Sequence, residues 1–205
     1  MDSAISINIA ILPPKDVRDK AVDLSRKLAQ QISTEFALED GKFYPHITIY
    51  QATYPKKNFE KILRRVSDFA KHLSKFEVKQ EKVRANNGFV SWDSQKDPYL
   101  FDLQKRIIAW ANPLREDLIP PFLKNLDWGL KKDKDDVRNF GSMFIGPRYR
   151  PHITITRAKT PEDSLIAEEM LENTPELNFL ANKIIIGNVG DHGTVNEILE
   201  EFNLS

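Results

Sequence analysis

The sequence predicts an α+β protein of two similar lobes with mainly antiparallel sheets, related by a pseudo-twofold axis around a central cleft. Three observations point there. The segment Pro45-His-Ile-Thr-Ile-Tyr-Gln-Ala-Thr-Tyr-Pro55 aligns without gaps on Pro151-His-Ile-Thr-Ile-Thr-Arg-Ala-Lys-Thr-Pro161, with seven of eleven positions identical at an offset of 106 residues. Strand-like and helix-like patterns alternate around each copy. The chain, 205 residues with 40% hydrophobic and 29% charged, is long enough to bury a proper core. We read it as one bilobal domain with approximate halves 1–95 and 96–205.

Each element follows from its pattern. Ser6 to Ile11 alternates like a strand and is stopped by Pro13-Pro14. From Asp16 to Ile32, Val17, Ala21, Leu24, Leu28 and Ile32 recur at helical spacing. The first repeated strand runs about 45–53. A second helix carries Phe59, Ile62, Leu63, Val66, Phe69 and Leu73 on one face. Phe76 to Val83 and Gly88 to Trp92 read as strands. In the second half, Pro98 opens a helix bearing Leu100, Leu103, Ile107 and Trp110. The second repeated strand spans about 150–157, then come a helix over Glu162–Leu171 and a strand over Leu177–Ile186. The stretch 113–147 departs from the repeat and reads as an insertion-like loop. It holds Pro120-Pro121 and the mixed-charge run from Lys131 to Asp136, which reads as a solvated surface segment.

Composition excludes several classes. There is no cysteine, so disulfides, thiol catalysis and cysteine-based zinc sites are ruled out. Lys plus Arg and Asp plus Glu number 30 each, so no cationic excess is available to displace counterions along a duplex. A nucleic-acid ligand would be a short one, a strand end or a mononucleotide. The apolar runs are too short to cross a bilayer as a helix, and Met1 to Ile5 has no basic region before an apolar block. The expectation is a cytoplasmic protein with no membrane association and no obligatory protein partner.

Chemistry concentrates in the repeated tetrapeptides. Residues two apart on a strand share a face, so His46 and Thr48 point one way and Ile47 and Ile49 the other. His152 and Thr154 stand likewise against Ile153 and Ile155. A lone His-x-Thr is weak, because a strand histidine is usually satisfied by ordinary hydrogen bonds. Duplication changes the weight: core packing asks for the isoleucines but not for His and Thr on the opposite face. Two imidazoles and two hydroxyls around one point suit phosphate-ester chemistry. One neutral histidine takes a proton from the nucleophile, the other gives one to the leaving oxygen, and the threonines hold non-bridging oxygens. No metal and no cofactor is expected.

With both motifs intact, the chain resembles the 2H phosphoesterase superfamily, which includes the RNA 2′,3′-cyclic phosphodiesterases also called 2′-5′ RNA ligases. That family carries two His-x-Thr/Ser motifs on a bilobal, pseudo-symmetric αβ fold. The matching positions are His46 and Thr48, then His152 and Thr154. The resemblance implies a metal-independent phosphodiesterase acting on a nucleotide or RNA end with a 2′,3′-cyclic phosphate or a 2′-5′ linkage.

By strand alternation Tyr44, Tyr50, Arg150 and Thr156 should share the catalytic face and are candidate substrate-binding residues. The prolines at 45 and 151 work against this for Tyr44 and Arg150 by breaking the alternation. Strict parity places Arg157 on the opposite face, while its place at the end of the strand leaves open that it turns back. Phe89 and Trp92 are either a stacking wall or core, and His72 and His192 read as a helix end and a turn outside the site. Two other functions stay open. One is a non-catalytic module holding nucleotides or RNA ends in the same cleft. The other is a metal hydrolase, for which the motifs lack acidic ligands.

Overall fold

The computed structural model describes residues 3–120, 123 and 131–205. Among the described residues, nine strands form one antiparallel sheet: β1 (Ala4–Ile11), β2 (Thr34–Ala37), β3 (Ile47–Pro55), β4 (Phe76–Asn86), β5 (Phe89–Ser94), β6 (His152–Ala158), β7 (Leu177–Ala181), β8 (Lys183–Val189) and β9 (Val195–Asn203). Five helices of the described residues accompany it: α1 (Lys15–Ala29), α2 (Phe59–Lys71), α3 (Pro98–Ala111), α4 (Lys131–Phe140) and α5 (Pro161–Met170). The strand order is β7-β4-β5-β6-β3-β1-β8-β9, with β2 beside β6.

That order is a palindrome of roles. Rotation about the β6–β3 junction exchanges β6 with β3, β5 with β1, β4 with β8 and β7 with β9. The lobes therefore draw on both ends of the chain: β4 and β5 pair with β6 and β7, while β8 and β9 complete the sheet of β1 and β3. Helices are exchanged too. α1 packs on β2 and β6, and α3 packs on β3. The lobes thus do not coincide with the halves 1–95 and 96–205 of the sequence repeat.

Local sequence explains the elements. In α1, Val17, Ala21, Val22 and Leu28 are buried on one stripe, while Asp16 in the first turn and Arg26 and Lys27 in the last suit the helix dipole. α3 begins at Pro98 with the Asp97 side chain accepting from the Tyr99 amide, and α5 begins at Pro161 under a Thr160 cap. Asn87 and Gly88 both take positive φ, as a two-residue hairpin between β4 and β5 demands. The stretch read as one strand from Leu177 to Ile186 is two, broken at Asn182, so that β7 and β8 serve opposite edges of the sheet. Two short or charged strands, β2 and β9, escape sequence reading because neither has a clear apolar alternation: β9 carries Glu197, Glu200 and Glu201.

The 113–147 stretch is not simply a loop. Residues 121–122 and 124–130, Pro121 among them, lie outside the described residues, but the charged run forms the start of α4. Asp133 and Asp136, three apart, share a helix face and both ion-pair with Arg148, which replaces the expected solvated surface. Behind them, Arg115 is 1% exposed. Its Nε donates to Asn112 Oδ1 at 3.1 Å and its Nη2 to the Arg138 carbonyl at 2.8 Å, and it also donates to the Leu118 carbonyl. Its nearest carboxylate, Asp117, is 3.9 Å away and 98% exposed, so neutral acceptors carry most of this buried cation's solvation. Arg115→Ala takes the guanidinium away from the Leu118 and Arg138 carbonyls and leaves Asn112 Oδ1 only the Tyr50 hydroxyl, and it is expected to destabilise the fold by about 3 kcal/mol in urea unfolding. Arg115→Lys, which lacks the planar fork, should recover only part of that.

Candidate active site

The two lobes join through the antiparallel pair Ile47 and Ile153. Both isoleucines are fully buried, which turns their neighbours on either side to the opposite, cleft face. Carrying the register one residue each way sets His46 across from Thr154 and His152 across from Thr48. Each imidazole therefore confronts the hydroxyl of the other motif, and the pseudo-twofold axis passes between them.

The two rings are held alike. Nδ1 of His46 lies 2.8 Å from the Tyr44 carbonyl, and Nδ1 of His152 lies 2.6 Å from the Arg150 carbonyl. A carbonyl only accepts, so Nδ1 is the protonated nitrogen in both neutral rings and Nε2 carries the lone pair. Each carbonyl belongs to the residue before a proline, Tyr44 before Pro45 and Arg150 before Pro151. The residues that supply these carbonyls are themselves anchored: Tyr44 N–H donates to the Val195 carbonyl at 2.9 Å, and the Arg150 guanidinium grips Asp93 Oδ1 at 2.7 and 3.0 Å.

Burial pushes the His46 pKa from 6.5 down to about 4, with the nearby His152 adding to the effect and the Tyr44 carbonyl opposing it. His152 is also lowered, first by burial and then by the Arg150 charge, while the Arg150 carbonyl and the Asp93 carboxylate pull it back up. Both rings are thus neutral in the free protein at pH 7.

A β-bulge in each motif strand decides what else reaches the cleft. Along β1–β3 the pairing steps from Ile9–Tyr50 to Ala10–Thr48, leaving Ile49 as an extra residue. Along β5–β6 it steps from Val90–Thr156 to Ser91–Thr154, leaving Ile155 extra. An extra residue reverses strand parity beyond it. Tyr50 and Thr156, expected on the catalytic face, are therefore turned into the interior. Tyr50 is 2% exposed with its hydroxyl reaching Asn112 Oδ1 and the Phe140 carbonyl, and Thr156 is fully buried, donating to the Phe36 carbonyl at 2.5 Å. Gln51 and Arg157 take their places on the half-buried cleft side, contrary to the strict parity that set Arg157 on the other face. The repeat unit is thus His-x-Thr-x-x-Gln/Arg, visible in the sequence once a bulge is allowed. Gln104, from α3, donates to the carbonyl of the bulged Ile49 at 3.2 Å, and Tyr149 donates to the Thr48 carbonyl at 2.9 Å, so the irregular strand is held from behind.

A narrow cleft is lined by His46 and Thr154 together with Tyr44, Phe36, Phe43 and His192. Tyr44 thus borders the site, whereas the Arg150 guanidinium, beside His152, is committed to Asp93. His192, read as a turn outside the site, belongs to this wall. It sits at φ 59°, stacks on Phe36 at 6.3 Å between centroids, and its Nδ1 accepts from Arg157 at 2.7 Å. The Arg157 guanidinium also lies 5.0 Å over the half-buried Phe89 ring. Trp92 is core, fully buried. His72 only caps the α2 end through the Asp68 carbonyl. Sequence reading also passed over Asn8, in mid-β1, whose side-chain amide lies within hydrogen-bond reach of His46, Thr48 and Gln51. Only the β1–β3 register reveals it.

Residues 21–192 match the 2′-5′ RNA ligase superfamily. The chain belongs to that superfamily, the 2H phosphoesterases. No curated protein is significantly similar to it in sequence. Among solved structures, it is similar to Escherichia coli LigT complexed with 3′-AMP (TM-score 0.62, 12% identity, 99% of each chain). It is likewise similar to TT0787 of Thermus thermophilus (0.59, 16%, 98% of each) and to a protein described as a phosphoesterase (0.56, 11%, 99% of each). At such identities the likeness establishes the superfamily's fold. Among the described residues no three His, Cys, Asp or Glu side chains are grouped to hold a metal ion, and no helix is long and apolar enough to cross a membrane.

The depressed His46 pKa makes stability pH-dependent in a defined direction. The unfolded imidazole binds its proton near pH 6.5 and the folded one near 4, so the unfolded state holds more protons between them. Stability is full above about pH 6.5 and falls as pH drops toward 4. Urea unfolding at pH 7.5 and 4.5 should show this loss, and His46→Gln should remove a measurable part of it.

Proposed function

We propose that this protein is a metal-independent phosphodiesterase that hydrolyses 2′,3′-cyclic phosphate or 2′-5′ phosphodiester bonds of RNA ends or nucleotides by two-histidine acid–base catalysis. One observation carries the reading: two imidazoles, each with Nδ1 tied to a backbone carbonyl and each set across from the other motif's threonine. A phosphoryl group at their midpoint would have a proton acceptor on one side and a proton donor on the other. One imidazole takes the proton of the attacking hydroxyl or water as the new P–O bond forms, and the other protonates the departing oxygen. Thr48 and Thr154 are assigned the non-bridging oxygens.

Burial of two neutral imidazoles fits an anionic substrate. A bound phosphodiester raises the pKa of a ring beside it, so the acid is charged when substrate arrives. Tyr44, Arg157 and His192 line or border the cleft, and we assign them to the nucleotide's sugar, phosphate or base. The E. coli LigT structures with 3′-AMP, ATP and NADP+ support a nucleotide as the ligand class. A cysteine-free chain suits the reducing cytoplasm.

His46→Ala and His152→Ala should each lower kcat by about 10²–10⁴-fold on a panel of 2′,3′-cyclic nucleotides and 2′-5′ oligoadenylates, with activity unchanged in EDTA. Full turnover by both variants would refute the two-histidine scheme, and metal-restored loss in EDTA would point to a metal hydrolase. Tight nucleoside monophosphate binding without turnover would indicate a binding module. The free protein's kcat/KM should be bell-shaped with its maximum below pH 6.5, since both rings are lowered. The kcat profile, read with phosphate bound, should lie at higher pH.

A further inference from the structure

The pseudo-twofold equates β1 with β5 residue by residue, because both strands meet their motif strand with the same bulge. Ala10 corresponds to Ser91, each paired with its motif threonine, and Asn8, paired with Gln51, corresponds to Phe89, paired with Arg157. The two threonines are therefore equivalent in their own strands but not in what stands behind them. Asn8 is a fully buried amide whose Nδ2 lies 2.8 Å from Thr48 Oγ1. Phe89, half-buried beneath the Arg157 guanidinium, has no polar side-chain atom to give Thr154. Ser91 stands beside Thr154 with a hydroxyl, but a hydroxyl turns freely and both donates and accepts, so it imposes no direction.

The direction of the Asn8 amide is fixed by its other neighbours. Nδ2 also lies 3.2 Å from His46 Nε2 and 3.3 Å from Gln51 Oε1. His46 Nδ1 gives its proton to the Tyr44 carbonyl, so Nε2 presents a lone pair toward Asn8. Turning the amide over would set Oδ1 against that lone pair. It would also leave two N–H bonds where Oδ1 now lies buried with no hydrogen-bond partner. The shortest of the three contacts is the one to Thr48. An N–H pointing into Oγ1 occupies one hydroxyl lone pair and keeps the hydroxyl proton away from that side, because two protons repel. The Thr48 side chain is half-buried on the cleft face, so its O–H is left to donate outward, toward the place assigned to the phosphoryl group. A donor aimed before substrate arrives needs no reorganisation when negative charge develops. A buried amide with an unpaired oxygen is an arrangement that core packing alone would not favour.

We infer that Asn8 is a positioning residue that aims the Thr48 hydroxyl at one non-bridging oxygen of the phosphoryl group, a role that rests on the phosphodiesterase reading above and deepens it. The two threonines, alike in sequence, are then unequal in the reaction. Thr48 is a preset donor. Thr154, with no amide behind it, is a hydroxyl that takes its direction only when the substrate binds.

Sulfur substitution reads this contact directly. A phosphorothioate places sulfur, a weak hydrogen-bond acceptor, at one non-bridging position. The two diastereomers of a nucleoside 2′,3′-cyclic phosphorothioate therefore probe the two positions separately. Thr48→Val identifies the diastereomer whose sulfur faces Thr48, as the one whose slowing relative to the oxygen substrate disappears. Losing a donor outright costs about 10²–10³-fold in kcat, and losing its aim should cost less, about tenfold, in Asn8→Ala on the oxygen substrate. The same variant should shrink the thio effect of that diastereomer and leave the other's unchanged, whereas a merely structural loss would slow all three substrates alike. Asn8→Ala added to Thr48→Val should lower kcat little beyond Thr48→Val alone. Equal slowing of the three substrates, or full additivity of the two substitutions, overturns the inference. Asn8→Ser is the milder second variant, expected to show the same selective pattern to a smaller extent. NMR of the ¹⁵N-labelled full chain needs no substrate: Thr48→Val should shift the Asn8 side-chain N–H resonance and speed its exchange with solvent. A resonance that stays in place overturns the inference as well. Should the wild type turn over no phosphodiester at all, the proposed function fails, and the NMR comparison alone decides whether Asn8 aims Thr48.

Discussion

A single antiparallel residue pair, Ile47 with Ile153, governs the geometry of the site. Both side chains are buried without remainder, so neither strand can slip by one residue without exposing its isoleucines and burying its polar face. The hydrophobic requirement of the core thus sets the register of the candidate site. It crosses the motifs, so that each histidine looks at the threonine of the other strand, and a site of four polar side chains needs both lobes to exist at all. Tyr149, Gln104 and the Arg115 cluster then hold the motif strand and the segment behind it from the helix side.

Much of this was legible in the sequence. The duplicated tetrapeptide, the alternation of strands and helices, and the family could all be read from His46, Thr48, His152, Thr154 and their apolar neighbours. Core positions such as Val17, Leu28, Ile62 and Ile107 came from helical spacing alone, and they are buried. These signals survive because they are local or repeated, and both kinds can be read along one dimension.

What was not legible had a common cause: it depended on how strands meet. Tyr50 and Thr156 were expected at the cleft because parity was extended through Ile49 and Ile155, and a bulge is a property of the pairing that the bulged strand does not announce. Asn8 and Asp93 stand beside the histidines only through register, 38 and 59 positions away in sequence. The run from Lys131 to Asp136 looked solvated because its counter-charge, Arg148, arrives from beyond the helix. His192 looked like a turn residue and is one, yet its left-handed backbone delivers the ring to the cleft wall.

The interleaving of the halves has a consequence for how the chain reaches this state. β1 finds its second neighbour only in β8, residues 183–189, and β9 closes that edge last. The first lobe's sheet must therefore wait, during synthesis, until nearly all of these 205 residues have left the ribosome. Pairings of such long range make for slow folding, because loop closure is opposed by chain entropy before any contact compensates. Because the strands of each lobe come from both halves of the chain, neither half completes a lobe alone, and both imidazoles sit on one continuous sheet.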